Sequence, residues 1–349
     1  MTTYGDEGST AKPGSCWSGP FLWQRPAWGL QHPDTAQSLH NLANILREQS
    51  DLDGACDLYE RALAIFTAAY GCDHPKVATT LSALARAVRS QGHYAKAYDL
   101  YERALGIFTA AHGFNHPEVA RALGDVGRVL RDQGKYADAR ARLERALEIF
   151  ERAGGYGPEH PDTARVANYL AGVLFAQGDL DHARTLYGYV LAIREAAYGP
   201  DHPDTATSLN NLGVLLAEQG DLDRARALHD QALVIRGARQ GPDHPDTASS
   251  LNNLGKLLAD QGDLVGARAL LECAVSIRED RLGPNHPTTA WSLHDLAHVL
   301  ADQGNLVGAH ARLERAVSIR EDKLGPNHPD TVRSCEKLAA IKAALGNRS

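Results

Sequence analysis

The stretch HPDTATSLNNLGVLLAEQGDLDRARALHDQALVIRGARQGPD, residues 202–243, decides the fold. In its first half Ala206, Leu209, Leu212, Gly213 and Leu216 recur at steps of three and four, which is one apolar face of a helix. Gly220 ends that helix, because glycine just past the last turn accepts the left-handed conformation, and Asp221 is placed to cap the helix that follows. Ala225, Leu228, Ala232, Leu233 and Ile235 form the apolar face of this second helix. The small residues Gly213, Ala225 and Ala232 let the two antiparallel backbones approach closely. The unit is a helical hairpin.

The hairpin recurs. His-Pro begins at residues 32, 74, 116, 160, 202, 244, 286 and 328, so every interval is 42 residues except one of 44. A lone hairpin cannot bury both its faces, so stability has to come from stacking successive units into a solenoid with a continuous core. Seven units fill residues 32–327, with boundaries at 32–73, 74–115, 116–159, 160–201, 202–243, 244–285 and 286–327. Residues 328–349 supply one more first helix, on which Arg333, Glu336, Lys337 and Lys342 solvate the end as a cap.

On these residues the chain resembles the tetratricopeptide repeats, in the 42-residue form of kinesin light chains and many bacterial signalling proteins. The resemblance is carried by the Leu-Gly or Leu-Ala step of the first helix, the Gln-Gly-Asp-Leu turn, the alanines of the second helix and the GPDHPDTA linker, over residues 32–349. Repeats 2 and 3 are the loosest, with LSALARAV and LGDVGRVL where repeat 5 has LNNLGVLL. The resemblance implies an all-α fold, a right-handed superhelical solenoid of helix-turn-helix repeats with a C-terminal capping helix.

The regular histidines invite a metal reading, but eight side chains on eight successive loops lie about 10 Å apart per helix layer, whereas zinc needs nitrogens about 2 Å from one centre. Punctuation explains them better. Asp201 or His202 caps the helix, Pro203 occupies the first turn, where a missing N–H costs nothing, and Asp204 faces the positive helix end.

A net charge of −7 gives no global attraction to nucleic acid or to an anionic membrane. The five cysteines form an odd set without CxxC spacing, which suggests neither a disulfide framework nor a zinc knuckle and fits a reducing, cytoplasmic compartment. There is no signal-peptide pattern and no stretch of membrane-spanning length. Residues 1–20 are small, polar and broken by Gly and Pro, and are expected to be disordered. The next stretch places Trp28 where a full unit carries Tyr198, with Pro26 forbidding a regular helix, and Phe21, Leu22, Trp23 and Trp28 are expected to fold back as a partial cap on the first repeat.

The resemblance also implies where function lies, because in this family the first helices line a concave groove in which peptides lie. By register the inward positions of repeat 5 are Thr207, Asn210, Val214 and Ala217, with Asn211 beside them. Equivalent asparagines stand at Asn168 and Asn252, with Asn253 next to the latter. An Asn amide donates and accepts at once, so such a row can hold an extended backbone, although one Asn of each pair could instead tie adjacent helices together. In the first four repeats the same wall is basic, with Arg47, Arg86, Arg89, Arg121, Arg128, Arg131 and Arg165, which favours an acidic segment. Glu48 and Asp132 are near neighbours, and surface arginines are often only solvated or salt-bridged.

Repeat 7 sets Trp291, His294 and His298 on the inward face, a candidate aromatic pocket. Lys256, in the neighbouring first helix, would repel a cation there. The 44-residue interval comes from Gly154 and Gly155, which can bend the stack between the Arg-rich and Asn-rich stretches. No GxxxxGK[ST], GxSxG, HExxH or strand-borne GxGxxG occurs, so no catalytic residue, metal or cofactor is implied. The expected function is a non-enzymatic scaffold holding an acidic peptide or protein segment in the groove. A regulatory array for a signalling NTPase or other effector on a separate chain is the alternative, and self-assembly through the solenoid ends is a third class.

Overall fold

The computed structural model describes residues 31–49 and 51–346. Among these there are fifteen α-helices and no strand. The first helices of successive pairs are α1 (Pro33–Glu48), α3 (Pro75–Ser90), α5 (Pro117–Asp132), α7 (Pro161–Ala176), α9 (Pro203–Glu218), α11 (Pro245–Asp260) and α13 (Pro287–Asp302). Their partners are α2 (Leu52–Tyr70), α4 (Tyr94–His112), α6 (Tyr136–Arg152), α8 (Leu180–Tyr198), α10 (Leu222–Arg239), α12 (Leu264–Leu282) and α14 (Leu306–Leu324), and α15 (Pro329–Gly346) closes the series. Each helix packs on the next, so the pairs form a solenoid. The partial cap expected from Phe21, Leu22, Trp23 and Trp28, and the disorder expected of residues 1–20, lie outside the described residues. None of the described helices is long and apolar enough to cross a membrane.

The helix caps explain the recurring dipeptide. His202, not Asp201, is the N-cap of α9: its backbone is extended and its Nδ1 accepts from the Asp204 N–H at 3.1 Å. All eight linker histidines do the same, at 3.1–3.2 Å, with proline at the first helical position. From the second pair on, the second helix follows a glycine in the left-handed region, such as Gly220 at φ +84°, and Asp221 accepts from the Arg224 N–H. Two turns depart from this: α4 and α6 begin at His93 and Lys135, which form no side-chain cap. Each lost cap costs about 1 kcal/mol.

Close approach within a pair has the expected cause. A Cβ on Gly213 would lie 2.8 Å from the His229 ring, and one on Gly127 2.6 Å from Leu143, so the second helix seats a large side chain on the glycine of the first.

The core is less continuous than the stacking argument predicts. One apolar cluster, with Tyr59, Phe66, Tyr101, Leu143 and Phe150 fully or almost fully buried, runs from α1 into α9. A second occupies α11 to α15, and small separate clusters lie between. The cause is a change at one position. Phe66, Phe108 and Phe150 fill it in α2, α4 and α6, but Arg194, Arg236, Arg278 and Arg320 fill it in α8, α10, α12 and α14, 4–8% exposed. Each of these arginines donates Nη1 to a carbonyl ten residues on and to a serine fourteen residues on, for Arg236 the Asp246 carbonyl at 2.8 Å and Ser250 Oγ at 3.0 Å. A polar seam therefore replaces the aromatic layer in the second half. In the cap, Arg333, Glu336 and Lys342 are exposed, whereas Lys337 is half-buried and Ile341 is buried.

Candidate functional site

The arginines expected to form a basic wall are mostly paired with aspartates of the same helices and their neighbours. Asp125 of α5, buried, lies 3.9 Å from Arg86 of α3 and 3.3 Å from Arg165 of α7. Asp132 holds Arg89 Nε at 2.5 Å and Arg131 Nη2 at 3.0 Å. Asp162 of α7 accepts from Arg121 Nε at 2.8 Å and from Arg165 at 3.2 Å. Burial alone would raise the Asp132 and Asp162 pKa values, but the guanidiniums outweigh it and hold both below the usual carboxylate range. Asp132 and Asp162 each tie arginines from two successive first helices, and Asp125 ties the arginines of the two first helices that flank its own. Arg86, Arg89 and Arg121 are therefore structural ties between helices. The Gly154–Gly155 junction is bridged too, since Arg121 donates to the Tyr156 hydroxyl at 2.7 Å and to Asp162 beyond it.

Where the arginine lattice meets the asparagines, the inner wall opens into a cleft of about 440 Å³ across α5, α7 and α9. Six residues given inward positions from sequence line it together: Arg128, Arg131, Arg165, Asn168, Thr207 and Asn211. Arg194 and Arg236 reach it from the second helices, and Tyr169, Tyr198, Asp162, Asp204 and Asp246 complete its charged and aromatic lining. Five guanidiniums thus face three carboxylates. Arg128 donates only to the Tyr169 hydroxyl, at 3.1 Å, and its Nε is buried without a partner. Arg194 and Arg236 bond only to carbonyl and hydroxyl oxygens; among the described residues no carboxylate lies within 4.0 Å of any of the three. Burial drives the Arg194 and Arg236 pKa values down, opposed in part by Asp204 and Asp246. These are cations taken from water without full compensation, which favours an incoming anion.

The asparagine row requires correction. Asn210 is 3% exposed: its Nδ2 donates to Ser250 Oγ at 2.7 Å and its Oδ1 pairs with His229 Nδ1 at 2.8 Å. Asn252, 4% exposed, donates to Asp295 at 2.7 Å and accepts from Ser292 at 2.6 Å. Both amides are spent tying first helices to their neighbours, the second of the two roles the sequence left open. Asn168 is buried and its Oδ1 accepts from Asn211 Nδ2 at 2.9 Å, whereas Asn211 and Asn253 are half-buried.

The remaining candidates do not converge. Arg47 lies 3.7 Å from Glu48 near the N-terminal end of the stack, and Lys256 is exposed. Trp291 is 51% exposed, but His294 pairs with Ser334 at 2.9 Å and His298 with Asp302 at 3.1 Å, so the trio does not close into a pocket. Burial lowers the His294 pKa to about 4. Among the described residues no group of three or more His, Cys, Asp or Glu side chains is placed to hold a metal.

Sequence reasoning missed Tyr169, Arg194 and Arg236. An arginine on an amphipathic helix reads as surface, yet a signal existed: Ile-Phe in the second helices of the first three repeats becomes Ile-Arg in the next four.

Helix pairs of one period, stacked in phase with a polar inner wall, define a helical-repeat solenoid. The chain belongs to the tetratricopeptide repeat family, whose pattern matches residues 34–110, 89–152, 118–196, 162–236, 211–280 and 246–322. Among solved structures, the Rap conjugation gene regulator of plasmid pLS20 in complex with the Phr peptide is 17% identical, with a TM-score of 0.66 over 83% of this chain and 74% of that one. Aspartyl phosphate phosphatase F from Bacillus subtilis is 13% identical, with a TM-score of 0.59 over 84% and 73%. A putative kinesin light chain from Podosopora anserina is 25% identical, with a TM-score of 0.47 over 60% and 98%. The first two likenesses show the fold alone. No curated protein matches the sequence.

Proposed function

We propose that the protein is a non-enzymatic, cytoplasmic scaffold that binds an acidic peptide or protein segment in the cleft across α5, α7 and α9. The observation that carries this reading is the set of three guanidiniums, Arg128, Arg194 and Arg236, that face the cleft without a carboxylate in contact. A carboxylate or other anion there would form charge-assisted bonds of about 1.5–3 kcal/mol each. Thr207 and Asn211 would hydrogen-bond the backbone of the same segment. That a solved protein of this fold is in complex with a peptide supports the class of ligand.

The test is fluorescence anisotropy of the full chain with labelled peptides of matched length, Glu-rich against Gln-rich. Preference for the Glu-rich peptide, weakening as salt rises, supports the reading. Equal affinity for the two would overturn the acidic assignment, and no binding of any peptide would overturn the groove assignment.

A further inference from the structure

The solenoid turns back on itself, and the return is bonded. His286 Nε2 donates to the Ser90 carbonyl at 2.5 Å, and His328 Nε2 donates to the Asp132 carbonyl at 3.2 Å, each across 196 residues. The linkers before α13 and α15 thus rest on the α3–α4 and α5–α6 turns. In both histidines Nδ1 already accepts a helix-capping bond, from Thr288 N–H and Asp330 N–H, so one neutral ring with its proton on Nε2 serves both contacts. His286 and His328 are the buried members of the eight linker histidines, at 9% and 7% exposure. The prolines that follow seat on glycines of the opposite turns: a Cβ on Gly92 would lie 2.5 Å from Pro287, and one on Gly134 2.9 Å from Pro329.

The sequence departs from its own repeat at these places. Second helices elsewhere start from Asp51, Asp179, Asp221, Asp263 or Asn305, each capping with its side chain and each followed by leucine. The two turns under the contacts read Gly-His-Tyr at 92–94 and Gly-Lys-Tyr at 134–136. Here the acid and its cap are both absent, and Tyr136 comes within electrostatic reach of Asp330 and Arg333 across the contact. On the other side, Asn285 and Asn327 stand where four other linkers carry the acids Asp73, Glu159, Asp201 and Asp243, a change that Asn115 shares without the contact. An acidic turn facing an acidic linker would repel, and both partners have shed that acid. On the turn side the departure falls only at the two contacts, and it is unnecessary if the two edges merely happen to lie side by side.

We propose that these contacts are a built-in latch that closes one turn of the superhelix and sets the width of its inner groove. The turns of α3–α4 and α5–α6 are the catch, and His286-Pro287 and His328-Pro329 are the hook. With the latch shut, a partner reaches the cleft along the superhelix axis, which suits an extended segment rather than a folded domain; this consequence rests on the groove reading, whereas the latch itself does not.

The test uses the full chain and two double variants. His286→Asn with His328→Asn keeps a good helix cap and removes the donor that reaches across. His93→Asp with Lys135→Asp restores the residue of the other turns, adding two caps while placing an acid against the linker. Small-angle X-ray scattering is expected to show a larger radius of gyration for both, with unchanged far-ultraviolet circular dichroism. Amide hydrogen exchange over residues 284–290 and 326–332 should quicken about tenfold. Native scattering and exchange in the His286→Asn, His328→Asn protein would overturn the proposal, as would a chain whose native scattering already fits an open superhelix. No ligand enters these measurements, so the latch can fail while acidic-peptide binding stands, and the reverse.

Discussion

The Arg128 guanidinium lies over the Tyr169 ring, 5.0 Å from its centre, and donates to the Tyr169 hydroxyl at 3.1 Å. Burial pushes the Tyr169 pKa up, but Arg128 and Arg165 outweigh it and hold the phenol below its ordinary range. Stacking and a hydrogen bond thus fix Arg128 in place without spending its charge on a carboxylate. A cation held ready in this way is positioned for an incoming anion.

Arg128→Met should therefore weaken acidic-peptide binding about 10-fold or more, the loss of one charge-assisted bond, while lowering stability by no more than about 1 kcal/mol. The Tyr169 phenol should titrate at higher pH in the variant, read from its ultraviolet absorbance. Unchanged peptide affinity with the expected phenol shift would place Arg128 in the wall but outside the binding surface.

Asp132→Asn probes the opposite role. The variant leaves Arg89 and Arg131 with no shared counter-charge in a largely buried site, and the expected cost is about 3 kcal/mol in urea unfolding. The backbone carbonyl that meets His328 is retained. Because the Asp132 pKa is lowered in the fold, its contribution is present at neutral pH and is lost as pH falls through the carboxylate range, so wild type and variant should converge in stability toward low pH.

The period, the hairpins, the helix caps and the linker's role were all legible in the sequence, since each follows from residues within one 42-residue unit. What was not legible depends on relations between units. Asn210 reaches Ser250 forty residues on, a pairing set by the stagger of neighbouring first helices, so a groove position and a buried tie share the same register. Arg194 and Arg236 read as solvent-facing because the serine and carbonyl that receive them lie in the next unit. The return of the chain on itself depends on twist accumulated over 196 residues, which no local pattern encodes. Of the basic wall, the residue types were legible but their pairing with Asp125, Asp132 and Asp162 was not.

His229 gives the array an acid limit. Its ring is buried beneath Gly213, and burial, with Arg236 and Lys256 nearby, lowers its pKa from 6.5 to about 4. The folded ring stays neutral where the unfolded one takes a proton. Stability is therefore full above pH 6.5 and falls as pH drops from 6.5 toward 4, by on the order of 3 kcal/mol for this group. His294, also lowered to about 4, acts in the same direction. His229→Leu, which installs the residue found at Leu271 and Leu313, should flatten this limb of the pH–stability curve; it leaves Asn210 short of one bond and costs about 1 kcal/mol at neutral pH. Chemical denaturation at pH 7.5 and 4.5 separates the two effects, and an equally steep acid loss in the variant would assign it elsewhere.

The buried arginine seam can be tested against the chain's own alternative. Arg278 donates to the Thr288 carbonyl at 2.8 Å and to Ser292 Oγ at 2.6 Å, and burial without a carboxylate in contact lowers its pKa to about 10. The first half of the array solves the same position apolarly, with Phe150 and, at the register of Ser292, Val166. Arg278→Phe alone takes the donor from the Thr288 carbonyl, Ser249 and Ser292, though Ser292 keeps its bond to Asn252, and should cost about 2–3 kcal/mol. Arg278→Phe with Ser292→Val restores the apolar pair and should recover part of that loss, because a buried charge held only by neutral acceptors is no better than a packed apolar pair, while Asn252 Oδ1 gives up the bond it accepts from Ser292. Unfolding of both single variants and the double variant gives the coupling energy directly, expected at about 1–2 kcal/mol in favour of the double. A double variant as unstable as the sum of its parts would mean that the seam, and not an exchangeable packing solution, is what holds the second half of the solenoid in register.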